Sequence, residues 1–135
     1  MTKRDNKPEQ LYDTPNLEKN MNDNTLETFM HRQVECWNQG DKDGFFNCYR
    51  EAAQKGLSIE YIGLPKNDPW IMLESMWQAQ ASITIDVQAC TILGHEGACH
   101  HINKLNDGTI STETLEFYTL IDGKLESRIF IKKPN

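Results

Sequence analysis

The sequence predicts an α+β domain: apolar residues recur at helical spacing through the first half, alternate with period two through the second, and two Asp-Gly pairs punctuate the alternating part. The first helix carries Leu26, Phe29, Met30, Val34 and Trp37 at three-and-four spacing, the pattern of a helix burying one stripe. Asn24, with Glu27 three residues on, supplies a start signal of the capping-box kind. Gly40 ends this helix, and Asp41 is placed to cap a second one whose Phe45, Phe46 and Tyr49 need the same cover.

The run Leu57-Ser58-Ile59-Glu60-Tyr61-Ile62 is β-rich and closes at Gly63-Leu64-Pro65, which predicts a strand. A third helix is marked by Asp68 as cap and Pro69 at the first helical position, where no amide hydrogen is needed. Trp70, Leu73, Met76, Trp77 and Gln80 share one of its faces. From Ser82 the period changes: Ile83, Ile85, Val87 and Ala89 alternate with Thr84, Asp86 and Gln88, and a meander is expected to follow. Asp107-Gly108 and Asp122-Gly123 read as hairpin turns with positive backbone φ, and Gly94-His95-Glu96-Gly97 as a looser one. The predicted order is helix, helix, strand, helix and four antiparallel strands.

A chain of 135 residues makes one domain. Residues 1–22, with only Leu11, Tyr12, Leu17 and Met21 as sizeable apolar groups, are expected to form a flexible polar tail, and residues 23–135 the domain. Met21, directly before the capped helix, offers an alternative start, with an ordinary polar leader the preferred reading. A formal net charge of -6 argues against nucleic acid, whose binding draws on clustered Lys and Arg. No apolar run of about twenty residues is present to span a bilayer, and no secretory leader is evident, so a soluble cytoplasmic protein without membrane partners is expected. Cys36, Cys48, Cys90 and Cys99 lack paired spacing and read as buried, reduced thiols.

This element order, with Trp37-Asn38-Gln39-Gly40-Asp41 leading into Phe45-Phe46 and a closing Phe117-Tyr118-Thr119-Leu120-Ile121-Asp122-Gly123-Lys124-Leu125, resembles the nuclear transport factor 2-like superfamily, especially its SnoaL-like branch, over residues 24–133. The resemblance implies a cystatin-like cone: three N-terminal helices packed on a curved, mainly antiparallel sheet around an internal pocket, commonly as a dimer. It implies no single activity, because such proteins include ketosteroid isomerases, polyketide cyclases, epoxide hydrolases, dehydratases and proteins without a known reaction. The isomerase pattern falls on Gln33, Tyr61 and Leu115, none of which is the acidic group that enolate chemistry of that kind needs. A shift of one residue would bring Glu60 inward as the base. The Asp-Arg-Asp set of limonene-type epoxide hydrolases has no counterpart.

Centring a two-residue turn on Asp107-Gly108 pairs His100 with Leu115, Ile102 with Glu113 and Ala98 with Phe117. The resemblance then places Ala98, His100, Ile102, Glu113, Leu115, Phe117 and Thr119 on the pocket face, with Arg128 and Phe130 beside them and Cys99, His101 and Glu116 opposite. A slip of one residue exchanges the two sets. On this reading His100, Glu113 and Arg128 are the candidate catalytic groups, an imidazole tuned by a carboxylate and a guanidinium, or else a structural ion-pair network. Gln33, Tyr49 and Tyr61 would bind substrate from the helical and strand walls. Trp37, Phe46, Trp77 and Phe117 would line the pocket or fill the core. His100 and His101 point apart along a strand and cannot share an ion easily; Cys99 with His101 is the remaining metal pair, and neither metal nor cofactor is expected.

The expected function is acid-base chemistry of the isomerase, cyclase or dehydratase sort on a small hydrophobic, oxygen-bearing molecule. The alternative is a non-catalytic ligand-binding or homodimerisation module. Tyr118, Leu120, Leu125, Ile129 and Ile131, read as outward, would give the outer sheet face of a homodimer.

Overall fold

The computed structural model describes residues 14–133, with side chains from Thr25 onward. Three helices precede and interleave with five strands: α1 Thr14–Asn38, α2 Lys42–Ala52, β1 Gly56–Tyr61, α3 Pro69–Gln80, β2 Thr84–Leu93, β3 Glu96–Lys104, β4 Ile110–Ile121 and β5 Lys124–Lys132. The strands form one open mixed sheet in the order β1-β5-β4-β3-β2, with β1 parallel to β5 and the other pairs antiparallel. Helix α1 packs on β2 and β3, and α3 on β1, so helices cover one face of the sheet in the expected α+β cone.

The predicted stripe of α1 is the core: Leu26, Phe29, Met30, Val34 and Trp37 are all buried. The helix begins at Thr14, ten residues before the Asn24 signal. Once a nucleus exists, each added residue costs little, and Leu17, Glu18, Lys19 and Met21 are good helix formers, so a capping sequence inside a longer helix does not stop it. The tail expected over residues 1–22 is therefore helical from residue 14, and residues 1–13 lie outside the described residues.

Other local signals act as read. Gly40 adopts φ +72°, and Asp41 accepts from the Gly44 amide at 2.9 Å to start α2. Asp68 accepts from the amides of Trp70 and Ile71 at 2.9 and 3.1 Å to start α3 behind Pro69. Asp122 and Gly123 both have positive φ, 53° and 76°, as their hairpin requires. The Asp107-Gly108 turn differs, since only Gly108 has positive φ. There the Leu105 amide donates to the Thr109 carbonyl at 2.8 Å, and a bulge between Asn103 and Lys104 takes up the extra residue.

The C-terminal end of α1 is fastened to β2. The Trp37 indole donates to the Ile83 carbonyl at 2.8 Å, and the Asn38 amide exchanges two hydrogen bonds with the Ile85 backbone at 2.9 and 2.8 Å. Farther along, Gly97 of β3 lies so close to α1 that a Cβ there would fall 2.4 Å from Met30 Sδ. Replacing Gly97 by Val is expected to cost about 1–3 kcal/mol of stability in urea unfolding by overpacking this contact, and adding Met30→Ala is expected to recover part of the loss. Strictly additive losses in the double variant would contradict the contact.

Candidate active site

The three pairings predicted from hairpin arithmetic, His100 with Leu115, Ile102 with Glu113 and Ala98 with Phe117, are present. The face assigned to them is reversed. Strand β5 shows why: Lys124, Glu126, Arg128, Phe130 and Lys132 are exposed, whereas Leu125, Ser127 and Ile129 are buried. Four charged side chains on one face cannot share a small hydrophobic core, so this face turns to solvent and carries the paired face of β3 and β4 with it. His100, Glu113, Leu115, Phe117 and Arg128 therefore lie on the outer, convex side. The His100 ring does meet the Glu113 carboxylate, Nε2 to Oε2 at 2.5 Å, but both are about one-third exposed, at 33% and 39%. Arg128 lies over the Phe130 ring. Glu60 pairs in register with Arg128 on this outer side, so it is Tyr61 that faces inward.

On the concave side a cavity of about 450 Å³ lies between the helices and the sheet. Helices α1 and α2 contribute Gln33, Trp37, Phe45 and Tyr49; β1 and α3 contribute Tyr61, Met72 and Met76; the sheet contributes His101, Asn103, Thr112, Thr114, Glu116, Ile129 and Ile131. It reaches the surface past Leu64 and Ile71, which are 62% and 60% exposed. Four of the expected binding residues, Gln33, Trp37, Tyr49 and Tyr61, line it. Phe46 instead packs edge-on to Phe45, Trp77 packs on Trp37 and Phe45 in the core, and Phe117 meets Phe130 outside.

The polar centre of this cavity is a set that the sequence reading placed on the wrong side. Glu116 Oε2 accepts from the Thr114 hydroxyl at 3.0 Å and faces His101 Nδ1 at 3.2 Å, while its Oε1 accepts from the Tyr118 hydroxyl at 2.5 Å. Burial pushes the carboxyl toward its neutral form, but the hydrogen bond and charge of His101 together with the Tyr118 and Thr114 hydroxyls outweigh it and hold Glu116 below the ordinary value of 4.5. The carboxylate is thus ionised at neutral pH and acceptor-only, so His101 Nδ1 carries the proton that it donates. The His101 side chain is 1% exposed and Glu116 15%, so Glu116 is the more open of these two cavity-lining groups. His101 Nε2 has no hydrogen-bond partner among the described residues.

Phenols complete the wall. Burial, with the Glu116 charge second, pushes the Tyr61 hydroxyl up to about 12 and raises Tyr49 well above its ordinary value. Both stay protonated at neutral pH, and among the described residues Tyr61 has only the soft Met76 sulfur, 3.0 Å away, as acceptor. Cys99 and His101 share the inner face, yet the Cys99 thiol lies 3.1 Å from Cys90 Sγ and His101 is bound to Glu116. All four cysteines are free thiols, three of them buried.

Solved structures share this fold. A protein from Agrobacterium tumefaciens named as a candidate isomerase of the SnoaL-like family superposes with a TM-score of 0.65 at 13% identity, covering 81% of this chain and 98% of that one. A candidate SnoaL-like polyketide cyclase from Jannaschia gives 0.63 at 15% identity over 84% of this chain and 86% of that one. An NTF2-like protein of unknown function from Mesorhizobium loti gives 0.61 at 15% identity over 82% and 93%. No protein-family model and no curated protein matches the sequence. The chain therefore has the SnoaL-like, NTF2-like fold. Among the described residues no helix is long and apolar enough to cross a membrane.

A carboxylate held below its unfolded value contributes stability that is fully present above pH 4.5 and is lost as pH falls through the folded value. Wild-type protein is accordingly expected to lose stability relative to Glu116→Gln as pH drops below 4.5, in paired thermal unfolding curves. A difference that stays constant across that window would contradict the assignment.

Proposed function

We propose that this chain, folded as SnoaL-like proteins are, binds a small hydrophobic, oxygen-bearing molecule and moves a proton on it, chemistry of the isomerase, cyclase or dehydratase sort. The observation that carries the reading is one ionised carboxylate, fixed by an imidazole and two hydroxyls, on the wall of a cavity whose remaining polar groups, such as Gln33, Asn103 and Thr112, are uncharged.

Glu116 is the candidate catalytic base and His101 its positioning residue. The carboxylate would take a proton from a carbon beside a carbonyl, the C–H electron pair passing into the carbonyl as an enolate. Protonated phenols at Tyr49 or Tyr61 would hold the oxygen, and the Gln33 amide adds a donor on the same wall. Returning the proton from Glu116 to another carbon isomerises the substrate, giving it to a β-hydroxyl that leaves as water dehydrates it, and giving it to the oxygen of a second carbonyl as the enolate carbon attacks closes a ring. A base held below its ordinary value is a weak one, which suits a carbon acid activated on two sides, by a carbonyl and by an aromatic ring or second carbonyl.

Deuterium uptake at the benzylic α-carbon of 2-tetralone, followed by proton NMR in heavy water near neutrality, tests this reading. The wild type is expected to exceed the buffer rate, and Glu116→Gln to lose about a hundred- to ten-thousandfold of that excess. Exchange no faster than buffer, or unchanged in the variant, would contradict it. His100→Ala, on the outer face, is expected to leave the rate within about threefold; loss of exchange there would return the chemistry to His100, Glu113 and Arg128.

The convex face supports a second reading, association with another copy of the chain. Tyr118, Leu120, Leu125 and Ile129, expected there, are buried inside, and Ile131 lines the cavity. Leu115, Phe117 and Phe130 stand outside in their place, 47%, 38% and 38% exposed, with the two rings edge to face. Such a patch, bordered by Glu113 and Arg128, fits a two-fold contact. Sedimentation is expected to give a dimer at micromolar concentration, and Phe117→Lys to weaken it at least about tenfold. A wild-type monomer would refute the contact.

A further inference from the structure

We propose that Cys90 and Cys99 form a reversible dithiol–disulfide site, oxidised by a hydroperoxide or a small-molecule disulfide and reduced by an external thiol. The pair lies on the inner face of β2 and β3, at the edge of the sheet, and its chemistry is independent of the role assigned to Glu116.

The two residues are direct partners across the β2–β3 ladder, and the Cys99 thiol donates to Cys90 Sγ at 3.1 Å, about 1 Å beyond a bonded sulfur pair. Residues directly opposite on antiparallel strands have Cα atoms about 4.5 or 5.5 Å apart, and a disulfide spans either distance. Closing the bond therefore asks for side-chain rotation and leaves the strands in place. A bulge creates this pairing. Val87 lies opposite His101 and Cys90 opposite Cys99, so β2 takes three steps where β3 takes two. Plain alternation from Ile83, Ile85 and Val87, the pattern the sequence predicts, would place Ala89 inward and Cys90 outward. The extra residue turns Cys90 in, where it packs against the core together with Ile92, and Ala89 is exposed instead.

The two thiols are unequal. Cys99 is 4% exposed, and burial, the hydrogen bond to Cys90 and the charge of Glu116, its partner on β4, all push its thiol up. Cys90 is half-buried on the edge strand and is the acceptor of the pair, which makes it the sulfur that meets the oxidant. Its thiolate attacks one oxygen of a hydroperoxide and breaks the O–O bond, giving a sulfenic acid on Cys90 and, with the proton the thiol gave up, an alcohol or water. Cys99 then attacks the Cys90 sulfur, its own proton leaves with the hydroxyl as water, and the S–S bond forms. With a small disulfide the first step gives a mixed disulfide, and two thiols leave in turn. On either route two electrons and two protons pass from the pair to the oxidant, and an external dithiol returns them. Cys36 and Cys48, neighbours on α1 and α2, are both buried and lack a half-exposed member of this kind.

Mass spectrometry of the full-length protein treated with hydrogen peroxide or with glutathione disulfide tests the site. The native wild type is expected to lose two hydrogens, and cleavage after Glu96, between the two cysteines, to leave fragments that stay joined until dithiothreitol is added. Cys36→Ser is expected to behave as the wild type. Cys90→Ser and Cys99→Ser are expected to form no such link, and Cys99→Ser to hold a sulfenic acid on Cys90 that dimedone traps. In a glutathione redox buffer, with Cys36 and Cys48 both replaced by Ser, the equilibrium constant for the link is expected to be at least about tenfold larger in the native protein than in urea, because the fold holds the two sulfurs together. A native constant no larger than the unfolded one, a Cys36–Cys48 or interchain link in its place, or no reaction with either oxidant would overturn the proposal. Should the serine variants fail to fold, the wild-type fragments decide alone. Failure of the tetralone exchange would leave this site untouched, and failure of the link would leave the exchange untouched.

Discussion

Side chains along a β-strand leave alternately to opposite faces, and in this chain that constraint decides what the protein can do. Strands β3, β4 and β5 are locked in one antiparallel register, so fixing the face of any one residue fixes all the others. Gly97, pressed against Met30, and Leu125, buried at the foot of β5, set the inner face. From those two anchors it follows that His101, Thr114, Glu116 and Tyr118 look inward. His100, Glu113, Phe117 and Arg128 look outward. Two histidines adjacent in the chain thus have unrelated surroundings: one is buried against an inward-facing carboxylate, the other sits on the convex surface with a carboxylate of its own.

The inner set is costly, which argues against its being an accident of packing. Placing a carboxylate against an apolar wall forfeits hydration worth several kcal/mol, and the three donors offset this only because each is correctly aimed. A well-packed apolar residue in the same position would fold at least as well by that reasoning. Thr114 and Tyr118 flank Glu116 on β4 at two-residue spacing, so all three side chains share a face, and His101 arrives across the ladder from β3, where it pairs with Thr114. The geometry of the strand pair alone brings the donors to the carboxylate. The helices then supply the rings and sulfur that face it, Trp37, Phe45, Tyr49, Met72 and Met76.

Much of this was legible in the residues. Helix starts with a short polar side chain ahead of an apolar run, such as Asp41 and Asp68, behave as local chemistry dictates, because a cap is decided by groups within a turn of it. Strand pairing followed from turn position. The face did not follow from the family resemblance, since pairing is unchanged when a whole sheet is turned over and only burial distinguishes the two solutions. The deciding signal was nevertheless present in Lys124-Leu125-Glu126-Ser127-Arg128-Ile129, where charged residues alternate with the uncharged Leu125, Ser127 and Ile129. Weighing that strand first would have placed His101 and Glu116 inside. Gln33, Trp37, Tyr49 and Tyr61 escaped the error because three of them sit on helices, and Tyr61 lies on the strand whose inner face carries Leu57 and Ile59. The early start of α1 was not legible, as a polar helix is distinguished from a polar coil by small propensities rather than by pattern.

The central claim is that the His101 imidazole donates through Nδ1 to an ionised, inward-facing Glu116. Long-range proton–nitrogen NMR on protein labelled with nitrogen-15 histidine reads the protonation of each ring nitrogen directly. The account predicts that His101 Nδ1 bears a proton at neutral pH and that this proton's signature changes in Glu116→Gln. A bare Nδ1 on His101, or a ring indifferent to that substitution, would contradict it.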